Sequence, residues 1–404
     1  MYPRLSDFLR EVFGWDVALP VQSYGFFVAL GFLVGIWFLI KEMKRKERQG
    51  LLVASEKKIL VGAPAKPREM IISGLIGFII GYKLLDIVLR YSAFVDDPQG
   101  FILSSGGNFL GGLIGAGISI FFTWRDKQKK KLDKPVWETK MVWPHELAGN
   151  ILVIAGVIGL LGAKIFHNLE NWDELVADPW GSLISFSGLS FLGGLLLGGA
   201  AIIWYAKKKN ISVIHLADAA AIVMPLGYAI GRLGCQVSGD GCWGIDNPDP
   251  MPEWLAFLPE WLWSYSYPHN IINEGIMIPG CTETAWDNCY VLETPVFPTP
   301  LYECIMMLIV FVFLFSIRKR IKIPGLLFVL YFIFAGVERF LIEKIRINNV
   351  YKIGEMEITQ AEIISFIMTV IGIAAIILLL KNKEKWIKRF GNSASKETIS
   401  DEKL

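Results

Sequence analysis

The chain has 404 residues, 53% of them hydrophobic and 19% charged, with a formal net charge of +2. Its mean hydropathy of +0.45 excludes an ordinary soluble globular enzyme and indicates an integral membrane protein. With so small a net charge, the placement of the charges carries the information, and no nucleic-acid partner is expected.

In chain order the sequence predicts about nine apolar runs long enough to span a bilayer. The first, 22–40, begins at Tyr24–Gly25 and ends at the basic segment KEMKRKER (41–48). It is too long for a signal-peptide core and lacks a small-residue cleavage site, so it is read as an anchor that follows an outer segment, 1–21. The runs 71–90 and 106–124 come next, then the basic RDKQKKKLDK (125–134). The runs 150–167 and 186–206 lead to Lys207–Lys209, and 214–233 ends on Arg232. The run 300–317 precedes RKRIK (318–322), 324–342 carries Arg339, and 360–380 precedes KNKEKWIKR (381–389). From Cys235 to Phe297 there is no Lys or Arg. The positive-inside rule places the basic loops in the cytoplasm. The expected fold is therefore an all-α polytopic membrane protein with its N-terminus outside and its C-terminus cytoplasmic. Residues 22–390 form the membrane domain, with an outer loop or cap over 245–297. The tail 391–404 reads as disordered.

The segments 81–117 and 162–199 resemble each other. Each places Gly-x-Lys, then Asp-Pro, then Phe-Leu-Gly-Gly at nearly equal spacing. The predicted unit is a helix leading out, a short outer loop and a glycine-faced helix returning, present twice in parallel.

This topology brings unusual residues of several helices to the outer leaflet. Arg232, Arg339, Glu343 and Arg346 lie at outer helix ends, as do Tyr24 and the segment FPTPLYE (297–303). Gly193 and Gly194 lie about 10 Å in from the outer end of the fifth run, at about 1.5 Å per residue. An arginine in hydrocarbon costs at least ~2.5–3.5 kcal/mol at mid-depth and persists if it is paired, snorkelling or binding. Two guanidiniums at one level suit a phosphate; the plainer reading has them snorkel to headgroups or pair with Glu343 and Asp240. For Arg346, nearest water, the plainer reading is taken. The stretch GRLGCQVSGDGCWG (231–244) lets backbone approach a lipid headgroup closely, since unwound backbone at membrane depth is tolerated where it lines a cavity.

These residues resemble the prolipoprotein diacylglyceryl transferase family. Its signature is matched here by Gly231, Arg232, Gly234, Gly239, Asp240 and Trp243–Gly244. An upstream family pattern is matched by GLSFLGGL (188–195), its Pro-x-x-Leu-Tyr-Glu by Pro298, Leu301, Tyr302 and Glu303, and a late motif by Gly336, Arg339 and Glu343. The resemblance covers the first span and roughly 150–350. It departs at Leu192, where the family has His, at Cys235 for Asn, at Ala335 for Tyr and at Asp240 for Glu. The first repeat copy reads as an insertion. The resemblance implies transfer of a diacylglyceryl group from phosphatidylglycerol to the lipobox cysteine of a prolipoprotein, forming a thioether and releasing glycerol 1-phosphate. It implies catalytic roles for Arg232, Arg339, Asp240 and Glu343. It implies substrate contacts from Arg232, Arg339, Tyr24, Gly193, Gly194, Gly234, Gly244, Tyr302 and Glu303. The partners are then phosphatidylglycerol, the prolipoprotein signal peptide and membrane lipid, in the bacterial inner membrane. Alternatives are a non-catalytic relative that binds phospholipid or signal peptide, and a small-molecule transporter, which would place its polar groups at the midplane.

The base is unassigned. His145 and His215 lie toward the cytoplasmic face, His167 at an outer helix end and His269 in the outer loop. Asp240 and Glu343 are candidates, or the arginine field lowers the thiol pKa without one. Cys281 and Cys289 are plausible disulfide partners, and Cys235 with Cys242 a second pair. No metal and no cofactor are assigned from the cysteine spacing. Trp254, Trp261, Trp263 and Trp286 read as an interfacial belt or as part of a cap that receives the signal peptide.

Overall fold

The structure is a computed structural model describing residues 1–391 apart from 16, 18, 97, 185–187, 189, 283–287, 349, 354 and 355. The expected disordered tail and Trp286 therefore fall outside the described residues. Among the described residues there are fifteen α-helices, α1–α15, and three two-stranded antiparallel ribbons. Among the described residues, six helical segments are long and apolar enough to cross a membrane: Ser23–Arg48, Pro67–Leu89, Pro144–Glu170, Val213–Ser238, Thr299–Ile317 and Gln360–Lys381. The other three predicted runs correspond to helices Phe109–Lys129, Phe191–Lys208 and Leu326–Glu343.

The elements run as follows. Helix α1 (Leu5–Phe13) is a short amphipathic helix inside the segment 1–21, and α2 is Ser23–Arg48. Strand β1 (Ser55–Val61) pairs with β2 (Val136–Val142). Between them lie α3 (Pro67–Leu89), α4 (Tyr91–Asp96), α5 (Pro98–Leu103) and α6 (Phe109–Lys129). Next come α7 (Ala148–Glu170), α8 (Trp172–Ala177), α9 (Pro179–Ile184), α10 (Phe191–Lys208) and α11 (Val213–Ser238). Strands β3 (Ile276–Met277) and β4 (Tyr290–Val291) follow, then α12 (Thr299–Ile317) and α13 (Leu326–Glu343). The chain closes with the hairpin β5 (Val350–Ile353) and β6 (Met356–Thr359), α14 (Gln360–Lys381) and α15 (Lys383–Phe390). The ribbons depart from the all-α expectation. They lie between the apolar runs, where backbone that meets water has to find its partners in a second segment.

The two similar segments fold alike: a long helix, two six-residue helices, and a long helix packed back on the first. The seam of each pair is made of glycine. A Cβ at Gly81 would stand 2.2 Å from the Gly111 carbonyl oxygen, and one at Gly193 would stand 2.3 Å from that of Gly162. Bare backbones can approach this closely, as membrane helices do where burial in lipid supplies no drive to associate. The β1–β2 ribbon closes the neck of the first pair. On α3 the side chains Ile72, Leu75, Ile76, Ile79 and Ile80 are exposed, as a lipid-facing helix requires. Gly162→Val is therefore expected to push α7 off α10 and to cost about 1–3 kcal/mol of overpacking. Thermal unfolding in detergent would show a lowered midpoint, while Gly199→Val, with nothing within 4 Å of its Cβ, would leave it unchanged.

Helix α11 is the central strut. Half of its apolar stretch is buried, against 17–33% for the other five candidate spans. At its N-terminal end it joins α2, α7 and α10 through Met43, Ala148, Tyr205, Leu216 and Ala219. Further along it joins α12 and α13 through Ile222, Leu314 and Leu327. The end of the bundle that carries the basic segments is tied by buried ions. Lys46 Nζ lies 3.4 Å from Asp218 Oδ2, and Arg318 Nε lies 3.3 Å from Glu42 Oε2. Asp218 also accepts from the backbone N–H groups of Gly325 and Phe328, satisfying the start of α13. The opposite end gathers the N-termini of α2 and α12 and the C-termini of α11 and α13.

Candidate functional site

Each of those four helices brings a polar side chain to the same end. Glu303 lies in the first turns of α12 and is fully buried. Its carboxylate is 2.6 Å from Arg232 Nε (α11), 3.7 Å from Arg339 Nη1 (α13) and 3.3 Å from Arg346 Nη1. The Tyr228 hydroxyl, one turn before Arg232, accepts from Arg232 Nε at 3.1 Å and donates to Glu303 Oε1 at 3.2 Å. Arg339 Nη2 also meets Glu343 Oε2 at 2.8 Å, and Asn348 Nδ2 donates to Glu343 Oε1 at 2.6 Å. Three guanidiniums are thus in contact with two carboxylates, a surplus of one positive charge. The arginine side chains remain 16–29% exposed, so they still reach the surroundings. A cluster with buried counter-charges, fixed hydrogen bonds and a residual positive field is suited to hold an anion.

The sequence reading set Arg346 apart as a residue near water. The structure brings it to Glu303, and Gly244 explains how. After α11 ends in the left-handed Gly239 (φ 63°), the chain turns back and Gly244 N–H donates to Phe297 O. Gly244 also forms an isolated bridge with Arg346. A Cβ at Gly244 would stand 2.4 Å from the Ile345 carbonyl oxygen. Gly244→Ala is therefore expected to part the two strands, release Arg346 and cost about 1–3 kcal/mol, visible as a lowered unfolding midpoint.

The other expected site residues divide. Tyr24 and Gly234 belong together: a Cβ at Gly234 would stand 2.9 Å from Phe27 Cβ, so the glycine lets α11 lie against the start of α2. The phenol of Tyr24 comes within electrostatic range of Arg232, Cys235, Asp240 and Cys242. Gly193 and Gly194 lie in the α7–α10 seam, where helix packing accounts for them. Tyr302 donates to the Leu262 carbonyl oxygen at 2.7 Å and so fastens the loop before α12 to that helix. Arg232 pairs with Glu303, whereas Asp240 Oδ1 accepts from the Cys242 N–H at 3.2 Å. The Cys235 and Cys242 sulfurs and an Asp240 carboxylate oxygen come together at one point. Two residues escaped the sequence reading. Tyr228 was legible in principle, since it is four residues before Arg232 on the same helix face. Glu338 on α13 is buried, its Oε1 without a hydrogen-bond partner.

All four histidines are engaged elsewhere. His145 Nδ1 pairs with Glu47 at 2.7 Å, and His215 Nε2 donates to the Phe390 carbonyl at 2.8 Å. His167 bonds Asn171, and His269 donates to the Asn288 carbonyl. The segment between α11 and α12 is packed on a small core of its own. Trp243, Tyr267, Leu292 and Val296 form its core, Tyr267 donates to Gln236 Oε1 at 2.7 Å, and Cys281–Cys289 is disulfide-bonded as expected. Cys235 and Cys242 are free thiols. Trp254 and Phe257 project from this segment with 74% and 79% exposure, in keeping with an interfacial belt.

The profile of the prolipoprotein diacylglyceryl transferase family matches residues 12–140 and 134–378. A phosphatidylglycerol–prolipoprotein diacylglyceryl transferase of Leptospira interrogans serovar copenhageni is 32% identical over 223 residues, covering 49% of this chain and 61% of that protein. The proteins of the same name from Clostridioides difficile and Shouchella clausii are 31% and 28% identical, covering 58% and 68% of this chain and 79% and 85% of theirs. The chain thus spans about 61% of the length of the Leptospira relatives it matches. With the matched profile running through nearly all of the helical bundle and both arginine-bearing helices, the chain belongs to the prolipoprotein diacylglyceryl transferase family.

Proposed function

We propose that this protein transfers the diacylglyceryl group of phosphatidylglycerol to the lipobox cysteine of a prolipoprotein. The observation that carries this reading is the convergence of Arg232, Arg339 and Arg346 on the buried Glu303 in a chain of this family. In this reading all nine long helices span the bacterial inner membrane. The basic segments lie in the cytoplasm, and the arginine cluster sits near the outer leaflet under the 245–297 cap.

The chemistry divides into three tasks. The phosphate of phosphatidylglycerol sits on the guanidiniums of Arg232 and Arg339, with Arg346 completing the cradle. As the glycerol C–O bond breaks, negative charge grows on the departing glycerol 1-phosphate, and donors already held in place meet it without reorganising. The substrate sulfur attacks the same carbon and forms the thioether. Glu303 and Glu343 hold the arginines in register, which keeps the donors aimed. Closing the two substrates into one pocket supplies the remaining advantage. Retention of the arginines and both glutamates favours an enzyme over a lipid-binding relative.

The test is a transfer assay. Purified protein in phosphatidylglycerol liposomes is mixed with a lipobox peptide and the peptide mass is followed. The expected result is a gain of one diacylglyceryl unit, absent with a Cys→Ser peptide. A preparation that binds phosphatidylglycerol yet adds no mass would instead support the lipid-binding reading.

A further inference from the structure

The four histidines have their hydrogen-bond or ion-pair partners away from the arginines, so the groups nearest Arg232 are the ones to consider for the substrate thiol. One turn beyond Arg232, the last turn of α11 and the loop after it place Cys235 Sγ, Cys242 Sγ and an Asp240 carboxylate oxygen within 4.8 Å of one another. We propose that Cys235, Asp240 and Cys242 form a binding site for a thiophilic divalent cation, of the zinc class, whose open position takes the substrate thiol.

Ligands at about 2.3 Å in a tetrahedron lie about 3.8 Å apart. The observed spread of at most 4.8 Å thus closes on an ion with movements of about 1 Å or less. The donor set is soft, two sulfurs and one oxygen, which selects zinc over magnesium or calcium. Three protein ligands leave a fourth position open, the pattern of a catalytic rather than a structural site. Cys235 is buried while Asp240 and Cys242 are half-buried, so an ion has an approach through the loop side. Two thiolates and a carboxylate carry three negative charges, and a divalent cation leaves one. Arg232 lies within electrostatic range of both thiols and offsets it. In the same structure Cys281 and Cys289 are bonded whereas these two thiols are not.

The consequence for the reaction rests on the transferase reading above. A thiol that coordinates such an ion loses its proton, here to water. The sulfur then attacks the glycerol carbon, the C–S bond forms, and the C–O bond breaks. Its electron pair leaves with the phosphate onto the arginines, and the ion is unchanged.

The test uses the reduced full chain in detergent, with Cd2+ as probe and sulfur-to-metal charge-transfer absorption as readout. One equivalent should bind, with a band of two-thiolate intensity. Cys304→Ser should leave it intact. Cys235→Ser and Cys242→Ser should each weaken binding by at least the about 10–100-fold that loss of even an outer-shell partner costs. Asp240→Asn, which keeps the shape and both thiols, should weaken it in the same direction. No band in folded protein, a band unchanged in both cysteine variants, or thiol counting that finds a native Cys235–Cys242 disulfide would each overturn the proposal. The transfer assay separates the two readings. Full transfer by chelated protein, with no metal bound, would sink this inference and leave the transferase standing. A two-thiolate band without transfer would support the site and sink the transferase reading.

Discussion

Glu303→Gln is expected to destabilise the folded protein by about 3–5 kcal/mol, the range for removing one partner of a buried ion pair. Glu303 is fully buried and faces three guanidiniums. Glutamine preserves the shape but deletes the charge, so Glu343 is left as the one carboxylate in contact with the cluster. The arginines are partly open to water, which places the effect toward the low end of that range. Thermal unfolding in detergent measures it. Phosphatidylglycerol should recover part of the loss, because its phosphate returns a negative charge to the same place, whereas a zwitterionic lipid should not. A variant that unfolds at the wild-type midpoint would show that Glu303 does not organise the cluster.

Arg232→Ala is expected to lower diacylglyceryl transfer by about 10²–10³-fold, the cost of losing one preorganised donor at a developing negative charge. Arg232 is the most tightly held of the three arginines, with Glu303 at 2.6 Å and the Tyr228 hydroxyl at 3.1 Å from the same Nε. Arg232→Lys should recover little. A lysine offers a point charge and cannot reproduce the planar fork that meets Glu303 and Tyr228 while keeping donors free for phosphate. The loss should fall on kcat more than on KM, since the interaction strengthens as charge develops. Tyr228→Phe should show a smaller loss in the same direction. It leaves the guanidinium charge in place and removes one of the two groups that aim it. Activity of Arg232→Ala within threefold of wild type would remove the arginine from the chemistry.

Much of this was legible in the sequence for a local reason. Hydrophobicity over a span of residues is a property of contiguous chain, so every apolar run emerged as a long helix, and the two Phe-Leu-Gly-Gly segments emerged as twin hairpins. Arg232, Arg339, Glu343 and Glu303 were also legible, because charge inside an apolar run is costly unless it has a purpose. The ribbons were not, because each pairs segments according to what the intervening chain does. Strand β1 meets β2 only because the α3–α6 hairpin brings residue 136 back to residue 61.

By itself, then, the sequence determined the helical class, the membrane environment, the duplicated unit and the presence of a polar cluster at helix ends. Only the tertiary structure decided how that cluster is wired. It made Glu303 the common partner of three arginines, drew Arg346 in through Gly244, and sent Tyr302 to the Leu262 carbonyl. It assigned Gly193 and Gly194 to a helix seam and gathered Cys235, Asp240 and Cys242 at one point. The physical reason is that hydropathy and charge are summed along the chain, whereas ion pairs and ligand sets depend on distances of a few ångströms between residues as far apart in sequence as Glu42 and Arg318. Those distances are fixed only once the helices have packed.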